Sequence, residues 1–396
     1  MNVDTAIPLR VLFVSGTPLG TATCRYRCEH LAEALGECGA SAEVVYIGQP
    51  RVRVDHDVVV LYRVCATAEG RRFARAARAS GASLVYSTDD IVFDADEAPP
   101  QMGKRFRALA PLHREMLAEA DAALASTDYL ADCMRKVAPE TPVYTVRNFL
   151  GSELMTLSAA ARQSAARASA SSAVTLGYLS GSPTHDEDFG VIAEPLRRIL
   201  AANTEAELCI VGPLRLPPIL LEFETVGRVR RLAPVGWRTL PALVAEQGIR
   251  INLAPLDLAR RFCHAKSEVK YLEAAALAIP TVASAAQGFQ EAISTTVGEN
   301  GCFFASIAAD WEQSLNFLIQ QERERRQHGL RALEYAASHG TPANMAGVTA
   351  LFTALATLRG AERTTSGPTV NWPFSVRYAL KSAVERGRAL VAHRRP

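Results

Sequence analysis

The sequence predicts an α/β protein of two doubly wound domains facing each other across a cleft, and three observations predict it. At 396 residues the chain is too long for one ordinary α/β domain and suits two, each with its own core. Short β-branched runs alternate with helical patterns twice along the chain. An Ala/Ser-rich stretch with few bulky apolar side chains separates the two alternations. The expected organisation is a first domain over 1–151, a linker over 152–172 and a second domain over 173–360. A basic helical segment over 361–396 would then pack back on the first domain.

In the first alternation the strands fall at Arg10–Ser15, Ala42–Ile47, Asp57–Arg63, Ser83–Ser87, Ala122–Ser126 and Val143–Val146. Helical spacing fills the gaps, for example over Tyr26–Leu35 and Leu112–Ala120. Strands of this kind belong to a parallel sheet covered by helices on both faces. The stretch SAAARQSAARASASS reads as a linker holding at most a short helix. The second alternation places strands at Val174–Leu179, Leu208–Val211, Val229–Leu232, Ile249–Leu253, Thr281–Ala283 and Cys302–Phe304. Its helices include Phe189–Ala202, Leu240–Glu246 and Glu268–Leu277, and residues 307–358 are mostly helical. Two such blocks bind their ligands at the carboxyl ends of the strands.

Composition bounds the function. Apolar residues are 48% and charged residues 21%, the balance of a folded, soluble protein. A net charge of +2 disfavours a general nucleic-acid binder, so no nucleic-acid partner is expected. The opening MNVDTAIPLRVLFVSG lacks the charged, apolar and small-residue sections of a signal peptide, and no apolar run reaches the roughly 18 residues of a membrane span. None of the eight cysteines forms a C-x2-C pair, which disfavours a zinc ribbon, and free thiols fit a reducing compartment. The expected location is the cytoplasm. The segment Pro373–Arg395 carries Arg377, Lys381, Arg386, Arg388, Arg394 and Arg395, with Trp372, Phe374 and Tyr378 beside it. It is either a solvated helix on the first domain or a peripheral contact with anionic membrane.

Four stretches carry chemistry. In VSGTPLGTATCRYR, Gly16 and Gly20 would let backbone pass close to a ligand at the first βα turn. The spacing is not G-x-G-x-x-G, and Gln49 stands where a dinucleotide fold would put an acid, so a dehydrogenase is disfavoured. Arg25 and Arg27 either face the cleft or decorate the helix start. In YSTDDIVFD, Asp89 and Asp90 follow a strand, where carboxylates point into a ligand crevice; accepting sugar hydroxyls, acting as base, holding metal and capping the next element all stay open. Arg63 ends its strand similarly and can pair with one of these acids.

In GYLSGSPTHDEDF, Ser180, Gly181, Ser182 and Thr184 supply hydroxyls and amides at a strand-to-helix turn suited to phosphate. His185 can donate to that phosphate or be structural, while Asp186 and Asp188 are expected to cap the next helix. In NLAPLDLARRFCHAKSEVKYLEAAALAIPTVAS a helix is expected to begin near Ser267, its free N–H groups suiting a diphosphate. Lys266 at that start and Lys270 one turn on can neutralise leaving-group charge, and Glu273 can accept ribose hydroxyls.

KSEVKYLEAAALAIPTVAS, with the later VGENG turn, resembles the C-terminal signature of GT-B glycosyltransferases of family 4. GYLSGSPTHDEDF with AKSEVKYLE is similar to a bacterial subgroup active on surface polysaccharides of the O-antigen or capsule type, and the likeness extends over YSTDDIVFD and VRNFL. The resemblance implies two Rossmann-like domains, a nucleotide-diphosphate sugar as donor, and a saccharide or lipid-linked acceptor. It implies retention of configuration with no obligatory metal or other cofactor. It would put Glu273 on the donor ribose, Lys266 and the Ser267 amide on the diphosphate, and Ser180–Ser182 near phosphate. The family often has a second glutamate eight positions before, and there this chain has Ala265. Two other readings remain: a nucleotide-sugar epimerase on the same scaffold, and a non-catalytic nucleotide-sugar-binding subunit.

Overall fold

The computed structural model describes residues 8–97, 103–167, 173–181, 185–339, 346–358 and 368–371. The first half supplies strands β1 (Arg10–Ser15), β2 (Ser41–Tyr46), β3 (Arg51–Arg53), β4 (Val58–Tyr62), β5 (Ser83–Thr88), β6 (Ala122–Ala125) and β7 (Val143–Thr145). The second supplies β8 (Val174–Leu179), β9 (Ala206–Val211), β10 (Val229–Leu232), β11 (Ile249–Ala254), β12 (Thr281–Ser284) and β13 (Cys302–Ala305), and β14 (Thr369–Asn371) follows. The first parallel sheet runs β2-β1-β4-β5-β6-β7 and the second β10-β9-β8-β11-β12-β13. Both are doubly wound. Each sheet begins near its middle and grows outward in both directions, so each has a crevice where the order reverses, at β1/β4 and at β8/β11.

Period-two packing explains the strands. Leu12, Val14, Val59 and Leu61 belong to the core on one face of the first sheet. Val11, Phe13, Val58, Val60 and Tyr62 belong to the core on the other. Phe352 and Leu355, from the helix Ala346–Ala356, join that second core, with the Phe352 ring 5.9 Å from Phe13. β14 pairs antiparallel with β3.

Three elements differ from the sequence reading. The Ala/Ser stretch forms a sixteen-residue helix, Ser152–Arg167, because alanine gives up almost no entropy in a helix and Leu154, Ser158 and Ala161 make a buried stripe at helical spacing. The expected helix Phe189–Ala202 is two helices, Asp186–Gly190 and Ala193–Ala202, broken after Gly190. The helix read from Glu268 runs only Val269–Ala275, with Glu268 at its N-cap. All eight cysteines are free thiols, and no helix among the described residues is long and apolar enough to cross a membrane. The basic run from Arg377 to Arg395, like Ser182 and Thr184, lies outside the described residues.

Candidate active site between the two sheets

The carboxyl ends of both sheets meet around a cavity of about 420 Å³. The first half contributes Gly20, Arg25, Tyr26, Asp89, Asp90 and Asn148 to its wall. The second contributes Ser180, Gly181, His185, Lys266, Ser267, Lys270 and Glu273. Three sequence candidates stand behind this wall: Gly16, Arg27 and Arg63.

Arg63 follows β4 in the left-handed region, at φ 49°, which costs a non-glycine residue energy. The turn brings its guanidinium onto both acids after β5. Its Nε donates to Asp89 at 2.6 Å, and its Nη2 reaches Asp90. Tyr62 also donates to Asp89, at 2.7 Å. This turn requires a glycine at position 16, since a Cβ there would stand 2.3 Å from the Arg63 carbonyl oxygen.

Asp90 is the bridge between domains. Lys266 Nζ donates to its Oδ1 at 2.5 Å. Burial alone would raise the Asp90 carboxyl, but Lys266 and Arg63 outweigh it and hold the group below its ordinary range. A second bridge lies at Glu273, which accepts from Tyr26 at 2.5 Å and from Arg25 at 3.5 Å. The Arg25 guanidinium stacks over Trp237, 4.6 Å from the ring centroid. These contacts order the wall. Arg25 joins Trp237 to Glu273, Lys266 joins Asp90, and Asn148 joins Ser267; Val211, Val235, Leu240 and Lys270 complete the lining.

Lys270 Nζ donates to the Leu179 carbonyl at 2.9 Å and lies 4.4 Å from the Tyr178 ring centroid. Burial pushes its ammonium down to about 8. Only the protonated amine attracts an anion, so affinity for any phosphate-bearing ligand of this cavity is expected to hold below pH 8 and fall above it. Lys270→Arg, which keeps its charge, should move that fall to higher pH. Calorimetric titrations on either side of pH 8 check this; an unchanged profile in the variant would show that Lys270 is not the group responsible.

The reading of Asp186 and Asp188 as caps is corrected. Neither makes a side-chain cap on the helix that follows. Asp186 accepts from the Arg215 amide at 3.0 Å. Asp188 is buried, faces His185 Nδ1 at 3.2 Å and accepts from the Asp257 amide at 3.2 Å. Burial lowers the His185 imidazole, so it is neutral near pH 7 and Asp188 fixes its ring. The reading of Arg27 as a cleft residue is also corrected: it is wholly buried. Ser267 lies in the turn before the helix that opens at Val269. Glu268 at the N-cap is held by Arg147, Oε2 to Nη2 at 2.7 Å.

Tyr26, Asn148 and Trp237 escaped sequence reasoning. Each touches the cavity only because distant elements meet there, and an aromatic on a helix reads as core.

No protein-family model matches the chain, and no curated protein does. Solved structures match it over most of its length. Sucrose-phosphate synthase from Thermosynechococcus elongatus is 12% identical, with 87% of this chain and 99% of that one covered, at a TM-score of 0.60. HepE of Anabaena in complex with UDP is 14% identical, covering 87% and 100%, at 0.59. A glycosyltransferase from Rickettsia africae is 11% identical, covering 89% and 100%, at 0.60. The fold these define is the GT-B architecture of glycosyltransferases. This chain has that architecture, two six-stranded parallel sheets with helices.

Proposed function

We propose that the chain is a glycosyltransferase that moves a sugar from a nucleotide-sugar to a saccharide or lipid-linked acceptor. One observation carries this: one cavity between the sheets is lined by an aromatic side chain at Trp237, a carboxylate at Glu273 and the cations Lys266 and Lys270. These three kinds of group suit a base, a ribose and a diphosphate. HepE has been solved with UDP-glucose in a related fold, which supports the same ligand class here.

In this reading Glu273 exchanges its bonds to Tyr26 and Arg25 for the ribose hydroxyls. Lys266, Lys270 and the Ser267 amide take the negative charge that grows on the leaving diphosphate, so no metal is required for that task. The bond from the anomeric carbon to phosphate oxygen breaks as the acceptor oxygen bonds to the same carbon. The departing phosphate receives the acceptor's proton, on the retained face. Asp90 takes the part of the carboxylate beside the transferred sugar. We place the chain in family 4, in bacterial surface-polysaccharide synthesis, in the cytoplasm, with its basic C-terminal segment at the inner membrane face.

The test is nucleoside diphosphate binding by calorimetry, run with UDP, GDP and dTDP, with and without EDTA. Wild type should bind one of them with EDTA present, and Glu273→Ala should weaken binding about tenfold, the worth of a charged hydrogen bond. Equal affinity in wild type and Glu273→Ala would remove Glu273 from the ribose. A non-catalytic binder is the second reading, favoured by Ala265; it would bind nucleotide yet release no diphosphate from nucleotide-sugar with any acceptor extract.

A further inference from the structure

Among the described residues Arg27 is the largest fully buried side chain and makes no ion pair there, its charge being supported only at longer range by Asp89. Its hydrogen bonds go to neutral acceptors: the Val146 carbonyl at 2.5 Å, Asn148 Oδ1 at 3.2 Å and Ser87 Oγ at 3.4 Å. Its Nε is buried with no partner among the described residues. Burying a cation this way is costly, so a purely space-filling role would be better served by methionine or leucine. What the guanidinium does is fix the orientation of an amide.

A guanidinium only donates, so the Asn148 oxygen must face it. The Asn148 nitrogen therefore faces the other way, onto Ser267 Oγ at 2.7 Å. An amide nitrogen also only donates, so Ser267 is the acceptor and keeps its own hydroxyl hydrogen for a further bond. Asn148 is buried, and both it and Ser267 line the cavity next to Lys266. The neighbouring residue clamps the same turn: Arg147 binds Glu268 at 2.7 Å and the Gly288 carbonyl at 2.6 Å. The Asn148–Ser267 pair is thus held at a fixed distance across the domain boundary.

We propose that Arg27 is a positioning residue which, through Asn148, leaves the Ser267 hydroxyl hydrogen free to donate to a phosphate oxygen of the bound nucleotide. This rests on the nucleotide-sugar reading above and adds to it a first-domain control over a second-domain phosphate contact.

Asn148→Asp is the decisive variant. It has the same shape and gives Arg27 a directly bonded anion, so the melting temperature should equal or exceed that of wild type. Its carboxylate only accepts, so Ser267 must turn its hydrogen toward it and away from the ligand. With whichever of UDP, GDP and dTDP binds wild type most tightly, the Kd should rise about tenfold. Charge repulsion from the new carboxylate predicts a loss of similar size, and the double variant separates the two. If the serine hydrogen is the cause, Ser267→Ala abolishes most of the further effect of Asn148→Asp; if repulsion is the cause, the losses add. Additive losses, an unchanged Kd, or a melting temperature below wild type for Asn148→Asp would each overturn the proposal. Arg27→Met should weaken binding like Ser267→Ala, with Arg27→Lys restoring part of it; should Arg27→Met not fold, the Asn148 and Ser267 variants alone decide. Wild type that binds none of the nucleotides would instead sink the functional reading, a result distinct from failure of the relay.

Discussion

Lys266→Ala is expected to lower turnover of nucleotide-sugar about 10²–10³-fold, read as nucleoside diphosphate released. Lys266 joins Asp90, after β5, to the turn before the helix Val269–Ala275, with Nζ 2.5 Å from Asp90 Oδ1. An ammonium has three hydrogens to give. One can stay with Asp90 while the others meet phosphate, so Lys266 ties the leaving group to the carboxylate proposed to hold the sugar. The charge on the leaving diphosphate is greatest as the glycosidic bond breaks. Loss of the lysine should therefore cut kcat more than it raises KM. Asp90 keeps its ion pair with Arg63 in the variant, so the fold should survive. Wild-type turnover in Lys266→Ala would take the lysine out of the chemistry; a rise in KM alone would make it a ground-state contact.

The strands were legible in the sequence because they are buried on both faces, and a run such as Val58–Tyr62 has no other way to be stable in water. The donor-side turn was legible because Lys266, Ser267, Lys270 and Glu273 lie within eight residues of one another. Contacts that depend on the meeting of two domains were not. Tyr26 meets Glu273 across 247 positions and Asn148 meets Ser267 across 119, distances at which no local pattern carries a signal. Arg25 and Arg27 are an intermediate case. Residues two apart on a helix point to opposite sides, so one arginine had to turn away from the cleft. The spacing alone did not say which, and a π-helical turn over Arg25–Glu29 shifts the faces further. His185 and Asp188 were within reach of the sequence, since residues three apart on a helix are neighbours.

Ala265→Glu would restore the glutamate that the family resemblance implies eight positions before Glu273, and it is expected to unfold the site rather than improve it. Ala265 is fully buried and packs into the core of the first half, in the same cluster as Phe106 and Phe262. Its carbonyl accepts from Thr127 Oγ1 at 3.2 Å. Around it the halves are locked together: Glu291 accepts from the Asp128 and Tyr129 amides at 2.7 and 2.8 Å, and the Phe262 amide donates to Glu97 at 3.0 Å. A carboxylate placed here is cut off from solvent, and an uncompensated buried charge costs about 3–5 kcal/mol. For a chain of this size that lowers the melting temperature by about 5 °C. A variant that melts with wild type and transfers sugar faster would show room for the carboxylate and reopen the usual arrangement. The expected loss instead accords with the proposal that the sugar-facing carboxylate is Asp90, on the other side of the cavity, where it already meets Lys266.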